Sequence, residues 1–262
     1  MARFPLAIKV SNLLVYVFLL GANLYSGLGP DNDDSPYREN HPTYISPAPF
    51  VFGVWGIIHF LLGGFVIYQW FGPQELILDG INWHFVGITL LNTLWLVLWQ
   101  TDYLILAWIT ILITASQVSF VYRILKQNRE GGANLNELIW IHAPFSLYHA
   151  WIFVIVVIST FAAFAPDKKD DESPSVLIKI LVVIGLLVLE STAIGYIEKF
   201  KGDIAGAVVI AWSLYGIAVE QSDPVIHWVA LVLAILTSIH IFVPIVKKIR
   251  NRSSDETAPL LG

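Results

Sequence analysis

The sequence predicts an all-α fold: a polytopic integral membrane helical bundle of eight helices. Three observations carry this. Hydrophobic residues make up 56% of the 262 residues and charged residues only 13%, about half the charged share of a soluble domain. Apolar runs of roughly 20 residues, enough to cross a bilayer, recur along the whole chain. The breaks between them carry turn chemistry at Gly29-Pro30, Gly72-Pro73, Gly131-Gly132, Pro166 and Pro224. The runs exceed the strand length of a membrane barrel, about 10 residues. Helices also satisfy their own backbone polar groups in lipid.

In chain order the expected helices are Phe4–Ser26, Pro47–Phe71, Ile81–Thr101, Tyr103–Leu125, Leu138–Phe164, Val176–Tyr196, Asp203–Val219 and Pro224–Val246. The first, with Asn12 and Asn23 inside it and no clear small-residue cleavage site, reads as a retained span rather than a secretory signal. Thr101-Asp102 makes a tight hairpin between the third and fourth helices. The seventh helix is the shortest.

Charge distribution sets an orientation. With the N-terminus in the cytosol, the inner side holds Arg3, Lys9, Arg123, Lys126, Arg129, Lys199, Lys201, Lys247, Lys248, Arg250 and Arg252, and the outer side Arg38, Lys168, Lys169 and Lys179. The positive-inside bias favours this arrangement, with both termini cytosolic. The outer loops then carry the acidic runs Asp31 to Asp34 and Asp170 to Glu172. In the tail, Glu256 stands four positions before the pair Leu260-Leu261. This resembles an acidic dileucine signal read by clathrin adaptors, implying a lysosomal, late endosomal or vacuolar membrane, with the plasma membrane as the alternative. A tail without a sorting role stays open beside it.

Composition also excludes. With no cysteine there are no disulfides, thiolate metal sites or cysteine nucleophiles. No basic patch interleaved with aromatics points to nucleic acid. No lysine lies mid-span for a retinal Schiff base, and no phosphate loop, carboxylate pair or serine triad appears. The chain therefore reads as a non-enzyme without a metal site.

Three stretches resemble the translocator protein, or tryptophan-rich sensory protein, family. The segment Ser46-Pro47-Ala48-Pro49-Phe50-Val51-Phe52-Gly53-Val54-Trp55-Gly56 is similar to the family's entry to its second helix. Leu91-Asn92-Thr93-Leu94-Trp95 matches a Leu-Asn-x-x-Trp motif on the third. Pro144-Phe145-Ser146-Leu147-Tyr148-His149-Ala150-Trp151 resembles the pattern of the fifth. The resemblance covers residues 4–165 and implies a five-helix translocator-like bundle (1–165). A membrane extension of three additional helices (166–246) and a basic cytosolic tail (247–262) follow. Short family members stop after five helices, so the chain looks closer to a divergent, longer branch, which the segment around Trp212 also resembles. The resemblance implies binding of a tetrapyrrole, sterol or similar apolar ligand.

Helical spacing places residues on faces. Phe52, Trp55 and His59 share one stripe of the second helix. Asn92, Trp95 and Trp99 share one of the third. Trp140, Pro144, Leu147 and Trp151 form an aromatic stripe of the fifth, and His142, Ser146 and His149 form its opposite, polar stripe, so that helix is expected between two sub-bundles. The candidate ligand-binding set is Pro47, Phe52, Trp55, His59, Asn92, Trp95, Trp99 and Trp151, since rigid aromatic walls with few polar groups suit a flat apolar molecule. Plain helix packing is the alternative for the tryptophans, and interhelical hydrogen bonding for Asn92. Trp70, Trp83, Trp140 and Trp228 suit an interfacial belt.

Glu190, inside the sixth helix, is the candidate for proton or ion coupling, with His142 and His149, because an ionisable group within a span is a functional hypothesis by default. An interhelical hydrogen bond is the alternative. Haem ligation is disfavoured, since the fourth helix has no histidine to face another. Three functions remain open on these residues: a membrane protein binding an apolar ligand, a proton-coupled transporter or channel, and a scaffold for a membrane-protein partner or a second copy.

Overall fold

The computed structural model describes residues 4–28, 41–129, 132–169, 173–199 and 202–256. Among them there is no strand. The long helices are α1 (Pro5–Leu28), α2 (Val54–Tyr68), α3 (His84–Gln100), α4 (Leu104–Arg129), α5 (Ala143–Phe164), α6 (Val176–Glu198), α7 (Ile204–Glu220) and α8 (Pro224–Glu256). Six helical stretches are long and apolar enough to cross a membrane; α3 and α7, at 17 residues each, are shorter.

The boundaries differ from the sequence reading for local reasons. The second helix does not begin at Pro47. Ala48 precedes Pro49 and is held extended (φ −57°, ψ 148°), as sterics against the proline ring require. A 3₁₀ turn, Pro49–Gly53, then leads into α2. The third helix begins at His84 because Asn82 has a positive φ of 49°, a conformation that asparagine tolerates better than most residues. A π turn, Leu76–Ile81, precedes it. Before α5, Asn134 caps a short turn by accepting the Glu137 amide at 3.0 Å, and a π turn, Leu138–His142, runs into Pro144. Proline has no N–H for the Trp140 carbonyl, and the wider turn relieves the clash of its ring with the preceding turn. The expected hairpin between α3 and α4 is present, with Asp102 at φ 63° and the Tyr103 amide closing on the Leu98 carbonyl at 3.0 Å. The last helix outruns its apolar stretch and continues to Glu256.

Helix α5 packs against α2 on one side and α4 and α7 on others, while α6, α7 and α8 pack on one another. Helix α3 lies on α1 and α4. A polar clamp joins α1 to α2: Asn12 donates to Gln69 at 3.0 Å, and Gln69 donates to the carbonyls of Lys9 and Val66.

The segment from His41 to Gly53 is strapped across the end of the bundle. The Ala48 amide donates to the Gly216 carbonyl on α7 at 3.0 Å. Gln221, just beyond α7, donates to the carbonyls of Ser46 (2.7 Å) and Thr43 (3.2 Å). The Lys168 amide donates to Pro42 at 2.7 Å. Gly216 is required for this close approach, since a Cβ there would lie 2.0 Å from Val51 Cγ2. Gly216→Ala is therefore expected to destabilise the protein by about 1–3 kcal/mol through overpacking, read as a lower thermal midpoint in detergent. The double variant Gly216→Ala/Val51→Ala should recover much of the loss, whereas equal midpoints for wild type and Gly216→Ala would refute the contact.

Candidate functional site

The aromatic stripes meet beneath the strap. The Trp55 ring stacks on His59 (centroids 5.2 Å apart) and meets Tyr148 at 5.9 Å and Trp151 at 6.0 Å, edge to face. Phe52 meets the other side of Trp151 at 5.7 Å. Trp95 and Trp99, one turn apart on α3, lie 5.6 Å from each other. A narrow cleft opens beside Phe52, Trp95 and Trp99, lined also by Pro47, Ile155 and, on its polar side, Lys168, Glu220 and Gln221. Trp55, Tyr148 and Trp151 pack behind Phe52 and do not line it. His41 closes it from the strap, edge-on to Trp99 at 5.6 Å and 3.0 Å from the Asp102 carboxylate. The volume open to the centre of a water-sized sphere is only about 40 Å³. That is room for a few waters, far below the roughly 300–1,000 Å³ of a pocket that holds a drug-sized molecule.

The polar atoms of this cluster are its chemical signature. Buried side-chain polar atoms almost always have a hydrogen-bond partner. Here the indole N–H groups of Trp55, Trp99 and Trp151, the Tyr148 hydroxyl, His59 Nε2 and Asn92 Oδ1 are buried and have none among the described residues. Trp95 differs, with its indole N–H directed at the Ser159 hydroxyl at 3.4 Å. The structure thus brings Pro47, Phe52, Trp55, His59, Trp95, Trp99 and Trp151 to one place. Asn92 stands one turn before Trp95 on the buried face of α3. The set lacked Tyr148, His41 and Gln221. Tyr148 was readable, since it lies three residues before Trp151 and four after Pro144 on the same helix face. His41 and Gln221 carry no local pattern.

The coupling candidates are placed differently. The buried Glu190 carboxylate accepts a hydrogen bond from the Thr237 hydroxyl, joining α6 to α8. His149 points the other way, into a polar network between α4, α5, α6 and α7. Its Nδ1 is bonded to the Tyr196 hydroxyl, its Nε2 lies 2.9 Å from the Ser119 hydroxyl, and its ring stacks on Tyr122 at 4.4 Å. His142 is buried one turn before Ser146. The structure does not bring Glu190 to His149.

The centre of that network is Asp203, which sequence reasoning treated only as the start of a helix. One of its carboxylate oxygens accepts from Tyr122 (2.6 Å) and Ser146 (2.7 Å) and sits 2.6 Å from the Lys126 ammonium. Burial pushes the Asp203 carboxyl up. The Lys126 charge and the bonds from Lys126, Tyr122 and Ser146 outweigh it and hold the group below its ordinary 3.8. Asp223, before α8, is likewise held low: burial raises it, and bonds from Lys179, the Ile226 amide and Ser173, with the Lys179 charge, outweigh that rise.

The fold and the cleft define a class: a multi-pass membrane helical bundle with a closed aromatic cleft under a strap. The chain belongs to the TSPO-like protein family, whose model matches residues 9–243. The match runs on through α6 and α7 into α8, past the region 4–165 in which the resemblance is legible. No curated protein and no solved structure matches the chain. Of the sorting residues, Glu256 ends α8, and Leu260 and Leu261 lie outside the described residues, as do the acidic runs 31–34 and 170–172.

Two outcomes are expected from the Asp203 network. Asp203→Asn leaves Lys126 without its counter-charge and should cost on the order of 3 kcal/mol, the usual loss when one member of a buried ion pair is removed. The folded carboxyl titrates below the unfolded one, so its stabilisation is complete above about pH 4 and is lost as pH falls through the folded value. Thermal midpoints taken from pH 6 to pH 3 should therefore drop more steeply in wild type than in Asp203→Asn. Parallel curves would contradict the assignment.

Proposed function

We propose that this protein binds a planar, largely apolar ligand bearing hydrogen-bond acceptors, in the cleft enclosed by the strap, α3, α5 and the end of α7. The unpartnered polar atoms around Trp55, Trp99, Tyr148 and Trp151 carry this reading. Of these, Trp99 lines the cleft and Trp55, Tyr148 and Trp151 pack behind Phe52. Buried donors without acceptors cost free energy that a molecule with carbonyl or carboxylate oxygens recovers when it enters between the rings. The rings supply flat walls, and the donors fix orientation. Tetrapyrroles and sterol-like molecules fit the reading in that order, since a tetrapyrrole offers both a plane and several acceptors. The role is binding, with sensing or movement of the ligand, and not catalysis.

The closed cleft requires the strap to move for a ligand to enter. Its ties run to α7 and the residues beyond it through Gly216 and Gln221. In this reading a five-helix unit supplies the cleft and the three further helices hold its lid. All eight helices span: 17 residues rise about 25 Å, at the lower limit for crossing, which suits α3 and α7. The basic residues near Lys9, Lys126 and Lys247 support a reading with both termini in the cytosol. The Glu256, Leu260 and Leu261 pattern directs the protein to lysosomal or vacuolar membranes.

The test is tryptophan fluorescence of the purified protein titrated with protoporphyrin and, separately, with cholesterol. Quenching should saturate with protoporphyrin. Trp55→Phe and Trp151→Phe keep an aromatic ring, smaller than the indole, and delete the donor, so each should weaken binding by at least about 3- to 10-fold, the worth of one hydrogen bond. Without a ligand the removal of an unsatisfied donor should offset part of the cost of the smaller ring, so the variants should lose less stability than Trp55→Ala and Trp151→Ala. Unchanged affinity in Trp95→Ala/Trp151→Ala would sink the cleft as the site.

A further inference from the structure

A second cavity lies outside the cleft, between α5 and α6. These helices have few close backbone approaches, and their divergence leaves a groove of about 370 Å³, measured as the space open to the centre of a water-sized sphere. One wall is Val156, Val157 and Phe161 of α5. The other is Leu181, Gly185 and Val188 of α6. At Gly185 the groove has a floor: a Cβ there would meet Ile45 Cδ1 at 2.8 Å and Phe161 Cε2 at 3.3 Å. Ile45, fully buried, reaches this point from the strap. On their outer side the walls are exposed, with Leu181, Ile184 and Val188 of α6 and Phe164 of α5 all open to the surroundings. The surroundings of these helices are hydrocarbon, since both are long and apolar enough to span a membrane.

The groove's dimensions select an occupant. Along α6 it runs from Ile178 to Val188, ten residue steps or about 15 Å, half of a hydrocarbon core about 30 Å thick. It offers a guest no free polar group. Its one polar lining residue, Thr160, donates to the Val156 carbonyl at 2.7 Å and accepts from the Trp108 indole at 3.0 Å. Charged groups stand at the end where α6 begins. There Lys179 is paired with Asp223 at 2.7 Å, and Ser173 donates to Asp223 at 3.1 Å. Lys179, the cation on α6 at that mouth, has its counter-charge in Asp223 within the protein, so it has no call for an anionic headgroup.

We infer that the α5–α6 groove is a slot for one acyl chain of a zwitterionic membrane phospholipid from a single leaflet. The headgroup sits at the Ser173–Lys179 end and the chain runs down Leu181 and Val188 to the bilayer midplane. The slot is separate from the aromatic cleft, with α5 and Ile45 between them, and does not depend on what the cleft binds.

The test uses the full chain in nanodiscs of phosphatidylcholine that carries a photoactivatable diazirine on one acyl chain. Adducts are mapped by mass spectrometry. They should fall on residues 156–165 and 178–188 at least about five-fold above Val232, Ile235 and Ile239 of α8, which are also exposed, a preference on the order of 1 kcal/mol. Leu181→Trp, which fills the slot, should remove that excess and leave α8 labelling unchanged. Leu177→Trp, one turn earlier and outside the slot, should preserve it. An even spread of wild-type adducts over lipid-facing helices overturns the proposal, whatever the variants do. So does an excess that survives Leu181→Trp or vanishes equally in Leu177→Trp, or chain-to-chain crosslinks at α5 and α6 in place of lipid adducts.

Discussion

The architecture depends on one buried carboxylate. Asp203 precedes α7, is almost fully enclosed, and gathers Lys126 and Tyr122 from α4 and Ser146 from α5 on a single oxygen. No water competes for such a group, so the protein must supply its partners, and losing one leaves a buried charge. That fixes the near end of α7 against α4 and α5. The far end of the same helix, about 25 Å away, carries Gly216 and leads to Gln221, which hold the strap. An electrostatic constraint at one end of the bundle thus determines where the lid of the cleft sits at the other.

Helix α5 transmits between the two. Trp151 and Tyr148 on it join the aromatic cluster with Trp55, while Ser146 and His149 join the polar network. Tyr148 and His149 are neighbours in sequence and serve different sides. A rigid helix with both faces committed has little freedom to rotate, so movement that opens the cleft falls to the strap. The strap is held by a handful of hydrogen bonds and one close glycine contact, the kind of segment that opens locally at modest cost.

Local chemistry made much of this legible. The stripe Phe52, Trp55 and His59, the two-faced α5 and the tight turn at Asp102 follow from spacing and residue type alone. The helix starts at Val54 and His84 were missed because a proline and a positive-φ asparagine moved them by a few residues. The larger misses share another cause. Tyr122 and Asp203 are 81 residues apart, and Gln221 and Thr43 are 178 apart. Periodicity reports which face a residue occupies, not which distant helix arrives there. Lys126 therefore read as one more charge on the basic side, and Asp203 as a helix-start acid.

A buried polar group in a membrane protein admits two interpretations, glue or site, and hydrogen-bond satisfaction separates them. Glu190 drew attention as an acid inside a span, yet it has Thr237 as partner and joins α6 to α8. Asn12 and Gln69 join α1 to α2 in the same manner. The Asp203 network, the most charged feature of the interior, is also well provided with partners. These are the groups a sequence reader flags for their cost, and they meet most of it internally, Asn12 Oδ1 excepted. The tryptophans look innocuous in a hydropathy profile, but three indole N–H groups and the Tyr148 hydroxyl are left without acceptors in one place. An interior selected only for packing would place phenylalanine or leucine there, with no donor to strand. Among the described residues the buried polar atoms without partners, Asn12 Oδ1 excepted, gather beneath the strap, which is why the proposed function is placed there and not at the buried charges.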